Sequence, residues 1–220
     1  MTRKKRKINP AITGLLLLVM AAALVVLIRS GREMFAYLDE YQAARTEYAV
    51  LREQAGLDSR TDLADDTEGV DFDTLFAINP DVVGWIYVPN TRINYPIVQG
   101  TDNAHYLNHT FSGQRNASGS IFLDYRNVAD FTDPHSILHG HNMRDGSMFA
   151  ALHGFLGDTI IIHTPDAVLT FAVFARHTVP ANHELYALRN RDAGQMITLS
   201  TCVNGRSDLR FVVQGSLAQN

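Results

Sequence analysis

Residues 11–28, "AITGLLLLVMAAALVVLI", are predominantly apolar and carry no charged side chain. At 1.5 Å per residue such a run reaches roughly 27 Å as a helix, close to the thickness of a bilayer core, and it predicts a transmembrane segment. The pattern then becomes periodic. In "REMFAYLDEYQAARTEYAVLREQAG" the apolar positions Phe35, Leu38, Tyr41, Ala44, Tyr48 and Leu51 recur at intervals of three and four. This predicts an amphipathic helix ending near Gly56, which either lies against the folded domain or serves as a stalk. "DSRTDLADDTEG" is acidic and poor in apolar residues, and reads as a linker. From about Val70 the chain turns to short apolar runs punctuated by Gly, Pro and Asn: "VVGWIYV", "INYPIVQ", "GSIFLDY", "SILHG", "TIIIHT", "VLTFAVFA", "MITLSTC" and "LRFVVQGSL". So many strands with little helix between them predict an antiparallel barrel or sandwich. One short helix is expected over "RDGSMFAALHGF", with Asp145 or Ser147 as its cap. No internal repeat or low-complexity tract interrupts the sequence.

Charge adds an orientation to this layout. Residues 3–7, "RKKRK", are all basic and directly precede the apolar run. Basic flanks stay cytoplasmic, so the rest of the chain is expected outside, in a single-pass protein of the cell membrane. A cleaved signal peptide fits less well, because the run lacks a small-x-small site at its end and passes straight into Arg29. The expected divisions are a basic tail over 1–10, a transmembrane signal-anchor over 11–28, a helical stalk and acidic linker over 29–69, and a folded domain over 70–220. The whole chain carries a formal charge of −4, and without the basic tail fourteen basic residues face twenty-three acidic ones, a net of −9. An acidic outer domain argues against a nucleic-acid partner.

In that setting the chain's single cysteine, Cys202, stands out. Thiols outside the cell tend to be oxidised in pairs, and this one has no partner within its own chain. It is either a small buried hydrophobe or a reactive group. In "MITLSTC" the residues Met196, Thr198, Ser200 and Cys202 share one strand face, and after the polar turn "NGRSD" the chain returns as "LRFVVQ". A hairpin centred near Arg206 makes Cys202 and Arg210 cross-strand neighbours. The guanidinium would then sit where its charge suits a thiolate and an oxyanion. An ordinary surface arginine fits the same spacing, and Arg206 at the loop tip is less well placed.

A thiol nucleophile also needs a proton shuttle, usually histidine. Of nine histidines, the most suggestive is His141 in "SILHGHNMRDGSMF", in a loop after a strand and a glycine. His139 is still within the strand and reads equally as core or surface. His-x-His also hints at a metal, but no compact set of further ligands accompanies it, so no metal and no cofactor is expected.

These segments resemble a known family. "TLSTC" followed by an arginine on the next strand resembles the sortase signature, and "LHGHNMRDGSMF" is similar to the histidine segment of class B sortases. "INPDVVGWIYVPNTRINYPIVQGTDNAHYLNHTFSGQRNASGSIFLDYRN" follows the same pattern, so the likeness covers most of 70–217. The resemblance implies a cysteine transpeptidase on a mainly β fold, an eight-stranded sortase-like barrel with an N-terminal helical extension and a transmembrane anchor. It implies Cys202 as nucleophile, His141 as general acid and base, and Arg210 as the residue that stabilises the oxyanion. It further implies Asn94, Val98 and Ser200 as substrate-binding positions. The substrate would be the C-terminal sorting signal of a surface protein, cut after threonine through a thioacyl-enzyme. A peptidoglycan precursor or a pilin amine would be the acceptor.

One departure from the family pattern is visible. Class B sortases usually carry a long segment, including a helix, before the cysteine strand; here only "ARHTVPANHELYALRNRDAGQ" separates "LTFAVF" from "MITLSTC". That bears on the peptide groove, with His183, Glu184 and Tyr186 as groove contacts or as solvated loop residues. It also leaves two other functions open: a non-catalytic envelope module on the same barrel, and a cysteine peptidase that uses water as acceptor. NPxTN-like and (S/L)PxTG-like sorting motifs both suit the class.

Overall fold

The computed structural model describes residues 10–57, 69–188 and 194–218. The basic tail up to residue 9, most of the acidic linker (58–68) and residues 189–193 before the cysteine strand lie outside the described residues. Two compact units are distinguished, one up to Gln42 and one over Ala43–Asn220.

The first unit is helical. The run expected to span a membrane and the amphipathic stretch after it form one continuous helix, α1 (Pro10–Gln54), with no break at Gly31. Residues 11–28 are exposed along their whole length. The helix is long and apolar enough to cross a membrane.

The second unit begins with the last turns of α1. Of the apolar positions read from periodicity, Ala44, Tyr48 and Leu51 are buried, whereas Phe35 and Leu38 are at least half exposed. The Tyr48 hydroxyl donates to Gly119 O at 2.7 Å, which pins these turns to the domain. Burying a side chain such as Leu51 contributes about 1.5–3 kcal/mol. A short helix, α2 (Phe72–Ile78), follows, capped by Asp71, whose carboxylate accepts from the Thr74 N–H at 3.0 Å.

Eight strands then form a closed barrel: β1 (Val82–Tyr87), β2 (Asn94–Val98), β3 (Ile121–Leu123), β4 (His135–His139), β5 (Thr159–His163), β6 (Val168–Pro180), β7 (Met196–Val203) and β8 (Arg206–Leu217). The hydrogen-bonded order is β1-β2-β3-β4-β7-β8-β6-β5. Each strand falls on one of the eight apolar runs. Their buried side chains, among them Trp85, Ile97, Phe122, Ile137, Leu199 and Val213, supply the core.

Three details differ from the sequence reading. The barrel is mixed rather than antiparallel throughout, because β2 with β3 and β4 with β7 are parallel pairs. The β2–β3 connection carries few apolar residues and the β4–β7 connection contains β5 and β6, so nothing in the strand sequences themselves marks either parallel pair. β6 runs on through "ARHTVP", residues that looked like the start of a loop; pairing with β8 out to Pro180 against Leu209 holds them extended. The expected helix near residue 150 is a 3-10 helix, Phe149–Gly154, without a side-chain cap. Asp145 instead closes the turn before it, its Oδ1 accepting from the Ser147 N–H at 3.0 Å and hydroxyl at 2.6 Å.

Candidate active site

The cysteine strand β7 lies between β4, parallel to it, and β8, antiparallel to it. Both neighbours deliver chemistry to Cys202. On one side the turn at Asn204 and Gly205, with Gly205 at φ 72°, sends the chain back as β8. A register shift between Cys202 and Val203 pairs Val203 with Arg206 but Cys202 with Arg210. Arg206 is spent on the turn, donating to both oxygens of Asp208 at 3.0 and 2.9 Å. Arg210 is half-buried, its guanidinium held by Ser207 O and Leu209 O at 2.8 and 2.9 Å.

On the other side the register pairs His139 with Ser200, and the Gly140 N–H continues the ladder to Ser200 O at 3.2 Å. His141 therefore leaves β4 level with Cys202. Gly140 is needed here, because a Cβ at this position would stand 2.7 Å from the Phe149 ring. The loop that carries His141 is fastened to the cysteine itself: Asn142 Nδ2 donates to Cys202 O at 3.0 Å, and Phe149 N–H to His141 O at 2.9 Å. His141 Nε2 lies 2.6 Å from Leu107 O. A carbonyl only accepts, so Nε2 carries the proton and Nδ1 of the neutral ring is left as the basic atom.

Cys202, His141 and Arg210 line a single cleft of about 320 Å³. Of the other expected site residues, Ser200 lines it too, its hydroxyl 2.7 Å from Tyr186 OH. Burial raises the Tyr186 phenol, so it stays an O–H at neutral pH. The structure does not bring Asn94 and Val98 to this cleft. Val98 is fully buried, and Asn94 lines a different cavity while its Oδ1 accepts from Trp85 Nε1.

The cleft also holds His139, which the sequence left as core or surface, and residues to which sequence reading assigned no role. Asn103, Leu107, Phe122, Asp124, Arg126 and His139 all line it. Asp124 is almost fully buried and organises them. It accepts from Arg126 Nε and its second terminal nitrogen at 2.7 and 2.8 Å, from Asn103 Nδ2 at 2.9 Å, and stands 3.3 Å from His139 Nε2. Burial pushes its carboxyl up, but the bonds from Arg126, His139 and Asn103 outweigh that and hold it well below the usual carboxylate range. Phe122 and Tyr186 both stack on His139, at 5.2 and 6.3 Å between centroids. Two imidazoles thus share the cleft: His139 is tied to a carboxylate, and His141 has a nitrogen to spare. Tyr186 belongs to a 3-10 helix, Glu184–Ala187, in the short segment before β7, so that segment still supplies a cleft wall.

Such a cleft, a thiol on β7 with a guanidinium on the neighbouring β8 and an imidazole in the loop that follows β4, suits acyl transfer from a carbonyl. Known proteins resemble this chain in sequence and fold. The Sortase domain family matches residues 86–218. Sortase B of Listeria monocytogenes is 46% identical over 88 residues, 40% of this chain and 36% of that protein. Sortase B of Staphylococcus aureus is 42% identical over 85 residues, 39% of this chain and 35% of that protein. The matched stretches span about a third of the length of these two curated relatives. Among solved structures, sortase B from B. anthracis in complex with AAEK1 superposes with a TM-score of 0.68 at 28% identity, covering 83% of this chain and 100% of that one. A Streptococcus pyogenes class B sortase involved in pilus biogenesis gives 0.61 at 31% identity, covering 69% and 100%.

Proposed function

The chain belongs to the sortase family, and from that premise we propose that it is a membrane-anchored cysteine transpeptidase acting on C-terminal sorting signals. Cys202 Sγ attacks the threonine carbonyl of the signal, and Arg210 donates to the oxyanion that forms. Collapse of the tetrahedral intermediate breaks the C–N bond and leaves a thioester on Cys202. The imidazolium of His141 gives its Nδ1 proton to the departing amine. An incoming amine, from a peptidoglycan precursor or a pilin lysine, then loses a proton to His141 and attacks the thioester; the new amide C–N bond forms as the C–S bond breaks and the Cys202 thiolate is released. Ser200 and Tyr186 offer hydroxyls to the peptide along the cleft. The basic residues 3–7 hold the N-terminus in the cytoplasm, and the barrel works on the outer surface.

The observation that carries this reading is the pair of registers around β7: Cys202 opposite Arg210 on one side, and His139–Gly140 leading His141 alongside it on the other. The test is incubation of the protein with NPxTN-like and LPxTG-like peptides and a set of amines, read by mass spectrometry. The expected product joins the peptide to an amine through the threonine carbonyl. The Cys202→Ala variant is expected to form none. His141→Ala is expected to lose about 10²–10⁴-fold, whereas His139→Ala, whose imidazole is already tied to Asp124, retains turnover. Hydrolysis alone with every amine would make the protein a peptidase, and binding without turnover would make it a non-catalytic module.

A further inference from the structure

A second cavity, of about 490 Å³, shares no lining residue with the Cys202 cleft. Three elements far apart in sequence build it. The last turns of α1 contribute Arg45, Tyr48 and Arg52, spaced by three and four and so on one helix face. The β1–β2 connection and the start of β2 contribute Thr91, Arg92, Asn94 and Tyr95, and the loop after β4 contributes Asp145, Ser147 and Met148. Three guanidiniums thus face one carboxylate.

Arg45 is the paired one, its Nε 2.8 Å from Asp145 Oδ2. Arg52 and Arg92 have no acidic partner among the described residues, so the described lining carries a local charge of about +2. The surrounding domain has the opposite sign, since the chain beyond residue 7 carries a net −9. Neutral donors complete the lining. Asn94 Oδ1 accepts from Trp85 Nε1, so its amide N–H₂ remains free to donate. Tyr95 OH accepts from the Met148 N–H at 3.2 Å and keeps its own proton. Ser147 and Thr91 are not available, their hydroxyls donating to Asp145 Oδ1 and Val88 O.

Two guanidiniums without an acidic partner among the described residues, an amide and a phenol, all donors, line one space. We propose that this cavity binds a phosphate-bearing ligand, with pyrophosphate the best match: each planar guanidinium takes one phosphoryl group through forked hydrogen bonds. Asn94 and Tyr95 donate to the remaining oxygens. The site is independent of the chemistry at Cys202, and its ligand is either a soluble phosphate compound or the headgroup of an anionic phospholipid.

The chain supplies its own reporter, because Trp85 is its only tryptophan and is bonded to Asn94. Full-length protein in phosphatidylcholine nanodiscs is titrated with inorganic pyrophosphate at constant ionic strength, by calorimetry and Trp85 fluorescence. Saturable binding seen by both is expected. The double variant Arg52→Gln/Arg92→Gln is expected to bind at least tenfold more weakly, and Arg115→Gln, an exposed arginine outside the cavity, to bind as the parent does. A cooperative thermal unfolding transition, followed by circular dichroism, checks that each variant is folded. Repeating the titration in phosphatidylglycerol nanodiscs separates the sources: weaker apparent binding identifies the lipid headgroup as the competing ligand, and unchanged binding identifies a soluble phosphate. Absence of saturable binding to the parent, or equal binding by the double variant, overturns the proposal.

Discussion

Arg206 and Arg210 lie four residues apart, yet only Arg210 is brought opposite Cys202, because a register shift next to the cysteine decides between them. Arg210→Lys is therefore expected to slow thioacyl formation by about 10²–10³-fold, since one ammonium cannot reproduce the guanidinium fork toward an oxyanion. Arg206→Lys is expected to change the rate little, and single-turnover kinetics with a sorting peptide measures both. Thr201, beside the nucleophile, is buried with no partner for its hydroxyl among the described residues. Thr201→Val removes an unsatisfied polar group at nearly constant volume and is expected to stabilise by about 1 kcal/mol. Denaturant unfolding checks this; a loss of stability would mean that the hydroxyl has a partner. At this scale the pairing of Cys202 with Arg210 was legible in the sequence, because a hairpin is local and its register can be counted. The placement of Asn94 and Val98 away from the Cys202 cleft was not, because which strand end meets which cleft depends on how the whole barrel closes.

The elements around the site are coupled through Gly140, which carries β4 into the His141 loop over the buried Phe149 ring. Gly140→Ala forces a methyl to 2.7 Å from that ring. Such overpacking is expected to cost about 1–3 kcal/mol. It should also displace His141, so the melting temperature and the acylation rate are expected to fall together. Strand identity was readable from alternation and turn residues, and all eight runs became strands. Strand partnership was not. The parallel pairing of β4 with β7 sets His141 beside Cys202, and it follows from a crossover that leaves no local mark. The length of β6 was hidden for the same reason: "ARHTVP" is extended only because β8 lies alongside it.

For the molecule as a whole, Asp124 links the cleft wall to acid stability. Its carboxyl is held below the usual range in the folded state, so its contribution is complete above the unfolded value of about 4 and fades as the pH falls below it. Unfolding free energy measured from pH 7 to pH 2 is expected to drop on that acid limb, and Asp124→Asn is expected to flatten it. Asp124, Asn103 and His139 meet only once the barrel has closed, which is why spacing in the chain did not point to their association.

The account rests on one sulfur acting as the acyl acceptor, and intact-protein mass spectrometry addresses that directly. The protein is mixed with a sorting peptide in the absence of any amine and quenched in acid. The expected spectrum shows a single adduct with the mass of the fragment ending in threonine, mapped to Cys202 and missing from Cys202→Ala. Cleavage of the peptide by Cys202→Ala at the parent rate, or an adduct mapped to another residue, would contradict it.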